Sequence, residues 1–144
     1  MSVLGIIYTT YVLIMNQPLN GPVLGGIFTI FGFGIFGKHI RNVLPILVGT
    51  LIAYFLNIYD PHSVSATVTI LFATNLAPVA GEYGFIAGIF AGFCHVSIVS
   101  SVGVLHGGLN LYNNGFSGGF VAATLVPIFE SIRNSRFFYN KGEE

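Results

Sequence analysis

Two long stretches of this chain carry no formal charge: residues 1–37 and residues 83–129 hold no Asp, Glu, Lys or Arg. A chain of 144 residues built this way has too little polar surface to face water on every side. Charged residues make up 7% of the sequence, against roughly 25% in ordinary soluble domains. Mean hydropathy is +0.81, so a lipid bilayer is the expected solvent for most of the chain. A soluble helical bundle would instead need polar faces at the 3.6-residue period, and runs such as "GIFTIFGFGIF" and "YGFIAGIFAGF" show none. A secretory signal is not expected either, because no basic residue precedes the first apolar run and apolar sequence continues long after it.

Charge and cysteine usage exclude further classes. Net charge is zero and the basic residues form no dense patch, so no nucleic-acid partner is expected. Cys94 is the single cysteine, which leaves no disulfide within the chain and no cysteine pair for a metal. The histidine spacing suggests no metal site, and "GIFGK" lacks the full phosphate-loop spacing. No cofactor is expected.

The apolar sequence is punctuated. "MNQPLNGP" interrupts the first stretch with asparagine, glycine and two prolines, and "KHIR" at Lys38 to Arg41 closes the run 23–37 that follows. Further runs end at "YDPH" and "GEYG". A run of about 16 residues covers roughly 24 Å as helix, a little under the usual hydrocarbon thickness. The runs therefore read as short spans or half-spans, with 83–105 the one of comfortable length. Small residues in "GFIAGIFAG" predict that this helix packs closely on another helix or subunit, so a homo-oligomer or a partner membrane chain is expected.

The few cations give an orientation. Lys38 and Arg41 share one loop, and Arg133, Arg136 and Lys141 lie in the tail. Positive residues stay on the cytoplasmic side, which requires an even number of crossings between the two clusters. Four fit: 43–58, 64–79, 83–105 and 115–130. Residues 1–132 then form a membrane domain and 133–144 a polar cytoplasmic tail.

Against this background "HGGLNLYNNGFSGGFVAA", residues 106–123, is anomalous, with a histidine, three asparagines, a serine and many glycines between apolar flanks. "GGLNLYNNG" is poor helix, whereas the sequence after it is good membrane helix, with Asn114 before Gly115 as the expected N-cap. A broken helix whose positive end points into the bilayer interior is one way transporters build a solute site. An extramembrane turn between two ordinary spans is the alternative. "NQPLNGPVLGGIF" has a related shape, because "NGPVLGG" and "NGFSGG" each join Asn-Gly to Gly-Gly across a short gap. Candidate solute-binding or pore residues are therefore Asn16, Pro18, Asn20 and Gly21 in one segment, and His106, Asn110, Tyr112, Asn113, Asn114, Gly115 and Ser117 in the other. His95 joins them: an ionisable group inside an apolar run is functional or hydrogen-bonded to a neighbouring helix. His39, His62 and Glu82 read as interfacial.

The stretches "FGFGIFGKHIRNVLPILVGTLIAYF" and "HGGLNLYNNGFSGGFVAA" resemble an uncharacterised family of multi-spanning bacterial membrane proteins, domain of unknown function 1576. Members of that family are longer, so the resemblance implies that this chain corresponds to a C-terminal half or a split version. More loosely, "NQPLNGPVLGGIFTIFGFG" and "NLYNNGFSGGFVA" are similar to two segments of urea transporters, re-entrant half-helices that line a pore for a small neutral amide. That similarity implicates Asn16, Pro18, Leu19 and Gly21, then Tyr112, Asn114 and Gly115, although Gln17 is an extra residue in the first segment. "HGGLN" and "GFSG" are also similar to two motifs of rhomboid intramembrane proteases, which would make Ser117 a nucleophile, His106 its base and Asn110 an oxyanion donor. In that family, however, the base follows the serine, and no histidine follows His106 here.

The sequence thus predicts an all-α, polytopic helical membrane protein with broken or re-entrant half-helices of urea-transporter type. It is expected to act as a channel or secondary transporter for a small solute and not as an enzyme. A non-transporting membrane scaffold or assembly subunit and an intramembrane serine hydrolase are the alternatives.

Overall fold

A computed structural model of the chain describes residues 2–57, 60, 62–108 and 110–141, with the side chains of 2, 57, 110 and 136–141 left aside. The described residues are all-helical, with no strand. Helix α1 spans Ser2–Ile14 and ends where Asn16 takes a φ of 51°, a left-handed conformation that asparagine tolerates. Helix α2 spans Gly21–Phe33. Asn20 Oδ1 accepts from the Val23 amide at 3.1 Å, and Pro22 occupies the first turn. A 3-10 turn, Gly34–Phe36, carries α2 to Gly37, whose φ of 82° ends it.

Helix α3, Ile40–Asn57, begins with Asn42 pinning the preceding loop: its Oδ1 accepts from the His39 amide and its Nδ2 donates to the Gly37 carbonyl. Ser63 caps α4, Val64–Ala73. The helical path then tightens through a 3-10 turn, Thr74–Leu76, into α5, Ala77–Tyr83. Two local features cause the tightening: Thr74 Oγ1 donates back to the Leu71 carbonyl at 2.7 Å, and Pro78 lacks the amide an uninterrupted helix would use. Gly84, at φ 91°, reverses the chain into α6, Phe85–Val99. Another 3-10 turn, Val102–Leu105, leads to α7, Asn110–Lys141.

Three expectations are corrected. The run 83–105 is not one span: α6 stops at Val99, where Ser97, Ser100 and Ser101 hydroxyls donate to backbone carbonyls one turn back and compete with the helix. The two described helical stretches of spanning length and apolarity are instead Val64–Tyr83 and Leu111–Ser135. Second, α7 starts at Asn110 and runs through Asn113, Asn114 and Gly115, so Asn114 lies inside the helix and does not cap it. The reason is packing: Asn113, Ser117, Val121 and Leu125 form a buried stripe at four-residue spacing, and tertiary contact overrides the weak local propensity. Third, the two Asn-Gly pairs play different roles. One marks the start of α2 and the other lies within α7, although Leu111 Cδ1 does approach Gly25.

The central element is the α4–α5 run, 67% buried, whereas the Leu111–Ser135 window of α7 is only 17% buried and lies at the periphery. α2 reaches the centre because Gly26 lets it sit against Leu71. The tightest crossing joins α3 to α6. A Cβ on Gly49 would overlap the Ile89 carbonyl, and one on Gly92 would overlap the Ile46 carbonyl, so the two backbones touch. Gly88 packs on Ala80 and Pro45, so the small-residue face of α6 is occupied within the chain.

Two ends can be defined. At one, Gln17 Nε2 donates to the His62 carbonyl at 2.7 Å, joining the α1–α2 and α3–α4 loops. At the other, Gly81 abuts Asn42, and Arg133 pairs with Glu82 at 2.6 Å. The loop holding Lys38 and the later part of α7 therefore share an end, with four helical passes between them: α3, α4–α5, α6 and α7.

Candidate functional site

Most soluble proteins put apolar groups inside and polar ones outside. Here the exterior carries Phe55 at 86% and Ile86 at 82% exposure, while the interior holds a layer of polar side chains. α4 supplies Thr69, α6 supplies His95, and α7 supplies Asn113, Asn114 and Ser117, all buried. α7 delivers three groups because positions 113, 114 and 117 fall on one helical face.

His95 is fully enclosed, and its ring faces the Asn114 side chain and the Thr69 backbone. Neither ring nitrogen completes a well-formed hydrogen bond, and Asn113 Oδ1 and Ser117 Oγ also lack protein partners. α7 passes the ring at Gly118, where a Cβ would lie in ordinary contact, 3.9 Å from His95 Cε1. Thr69 Oγ1 is satisfied by donating to the Ser65 carbonyl at 2.9 Å.

Cavities lie on both sides of the layer. One, of about 380 Å³, runs from Asp60 and Ser63 past Ser65 and Ser100 to Thr69 and Asn113. The other, of about 390 Å³, runs from Asn114 along Gly115 and Gly118 to Thr29, Phe33 and Asn75. Neighbouring residues of α7 thus line different cavities.

Several predicted site residues lie elsewhere. Asn16, Pro18 and Asn20 are exposed in the α1–α2 loop, Gly21 is exposed at the start of α2, and none of them lines either cavity. Tyr112 is exposed. His106 packs edge-on against Phe116 at 5.3 Å, and no hydrogen bond joins it to Ser117. The side chain of Asn110 lies outside the described residues.

Sequence reasoning missed Thr69, Asn75 and Lys38. Asn75 was the legible one, a carboxamide inside an otherwise apolar run just ahead of Pro78. Lys38 reads as an interfacial cation but is 5% exposed, donating to Thr74 Oγ1 at 2.8 Å and Asn75 Oδ1 at 2.9 Å. Its ammonium also lies 5.6 Å from the centre of the Phe33 ring. Burial lowers its pKa to about 8.

These features define a helical protein with apolar exterior faces, a buried polar layer and two helical stretches of membrane-spanning length. The chain belongs to the DUF1576 family of proteins of unknown function, whose profile matches residues 1–131. No curated protein and no solved structure matches it.

Proposed function

We propose that this chain is a polytopic bacterial membrane protein that passes a small solute through the layer formed by His95, Asn113, Asn114 and Ser117, as a channel or secondary transporter. One observation carries the reading: a polar layer with orphaned atoms lies between two cavities, inside a chain whose exterior is apolar. A buried polar atom without a partner costs about 1–3 kcal/mol, so the unpaired atoms of His95, Asn113 and Ser117 are poor structural material. Amide and imidazole groups that replace a solute's lost water give the layer a purpose. A scaffold would fill the same space more stably with leucine and valine.

In this reading, the end bearing Lys38 and Arg133 faces the cytoplasm, by the positive-inside rule. α1 and α2 act as short spans flanking the central α4–α5 run. The thinly covered α7 offers its exposed Phe116 and Phe120 to a second copy or a partner membrane chain. The likeness to urea-transporter segments supports a small polar solute, and the two segments approach one another where Leu111 of α7 lies against Gly25 of α2.

The experiment is reconstitution. Proteoliposomes carrying the wild-type protein are expected to take up at least one of urea, glycerol and nitrate at rates about tenfold or more above protein-free liposomes, read by stopped-flow light scattering. Rates equal to protein-free liposomes across all three solutes would overturn the reading.

A further inference from the structure

Lys38 is a cation in the wrong surroundings for a structural ion pair. Its ammonium is buried, yet its polar contacts are neutral oxygens, and the ion pair found among the described residues joins Arg133 to Glu82 instead. A buried charge without a counter-charge is expensive to keep. Its position is equally specific. On one side is a vestibule of about 530 Å³ lined by Lys38, His39 and Arg41 together with Val3, Leu4 and Ile40. On the other, its partner Asn75 and the Phe33 ring beneath it line the cavity that ends at Asn114. No acidic side chain lines either space among the described residues.

The hydrogen-bond directions add to this. An ammonium only donates, so the Asn75 atom facing it is the amide oxygen, which leaves the Asn75 amide N–H groups for other partners. Thr74 Oγ1 accepts from Lys38 and donates to the Leu71 carbonyl, which uses its proton. Of the three ammonium protons, two are engaged and one is free. Where vestibule and cavity meet, the chain thus presents one positive charge and an excess of donors.

We infer that the solute of the proposed pathway is a small monovalent anion, and that Lys38 selects it by charge as it passes from the vestibule to the Asn75–Asn114 cavity. This rests on the transport reading and gives it a substrate class. A single ammonium offsets a single negative charge, and the flanking amides of Asn75 and Asn114 replace part of the anion's hydration shell. Arg41 raises the local anion concentration at the mouth.

Nitrate and glycerol uptake into proteoliposomes test it. Lys38→Gln is expected to lower nitrate uptake tenfold or more and to leave the glycerol rate at the wild-type level, while Lys38→Arg retains most of the nitrate rate. Wild-type uptake of glycerol without nitrate, or a Lys38→Gln variant that slows both solutes equally, overturns the inference and leaves transport standing. Uptake of neither solute by the wild type overturns transport of both classes.

If Lys38→Gln fails to fold, the wild-type pH profile decides. With its pKa lowered to about 8 by burial, Lys38 is charged below that pH and neutral above it, so nitrate uptake should fall as pH rises through about 8 while glycerol uptake stays flat. The groups packed on Lys38 from the other elements, Thr74, Asn75 and Phe33, do not titrate there. His39 and Arg41 share the vestibule, and His39→Gln is expected to keep the same profile. A flat nitrate profile overturns the inference.

Discussion

Asn114→Leu should reduce solute uptake to the level of protein-free liposomes while the protein still folds and keeps its oligomeric state. Leucine keeps the four side-chain heavy atoms and the branching of asparagine, so the buried volume stays filled, but both amide functions disappear from the layer. Asn114 faces His95 and lines the cavity that leads to Asn75, so its loss removes the polar step between the two cavities. The stability cost is about 1–2 kcal/mol or less, the scale of one exchanged hydrogen bond in a site that remains packed. Stopped-flow uptake beside thermal unfolding in detergent separates the effects. Unchanged uptake would remove Asn114 from the pathway. A hydrolase would respond most to Ser117→Ala, through lost labelling by a serine-reactive probe.

The second large effect lies in the scaffold. Gly92→Leu should abolish folded protein, read as loss of the monodisperse peak in size-exclusion chromatography. A Cβ at position 92 already overlaps the Ile46 backbone carbonyl, and Gly49 makes the reciprocal contact with Ile89. Overpacking a core costs about 1–3 kcal/mol when neighbouring side chains can yield. Here the obstacle is backbone on a second helix, so α3 and α6 must separate, and a total stability of about 5–15 kcal/mol leaves little to absorb that. Gly32→Leu is the control, because nothing lies within 4 Å of a Cβ there. It should give a normal yield.

Legibility in the sequence followed the range of the forces involved. The all-helical class is set by local composition, and it agrees with the structure. Asn113, Asn114, Ser117 and His95 stood out because polar groups are costly in apolar sequence, and the fold buries all four. The start of α7 was illegible because its asparagines and glycines are weak helix formers on their own. Only the buried stripe running on to Val121 and Leu125 shows why they adopt helix. The end of α6 was missed because serine hydroxyls bonding to backbone carbonyls look like any serines in a run. The role of Lys38 was hidden for another reason: its partners Thr74 and Asn75 lie 36 and 37 residues away, and nothing local marks a lysine as buried.

The central claim is that one polar layer separates two water-filled cavities open to opposite sides of a membrane. Single cysteines at Gly103 and Gly118, in a Cys94→Ala background, test it most directly. Both positions accept a Cβ, with nearest contacts at 3.5 Å and 3.9 Å, and they line the cavities on the Asp60 side and the Asn75 side respectively. In sealed vesicles of known orientation, a membrane-impermeant thiol reagent should modify the Gly103→Cys protein only from the Asp60 side and the Gly118→Cys protein only from the Lys38 side. Failure of either cysteine to react from its own side, or reaction of both from the same side, would contradict the account.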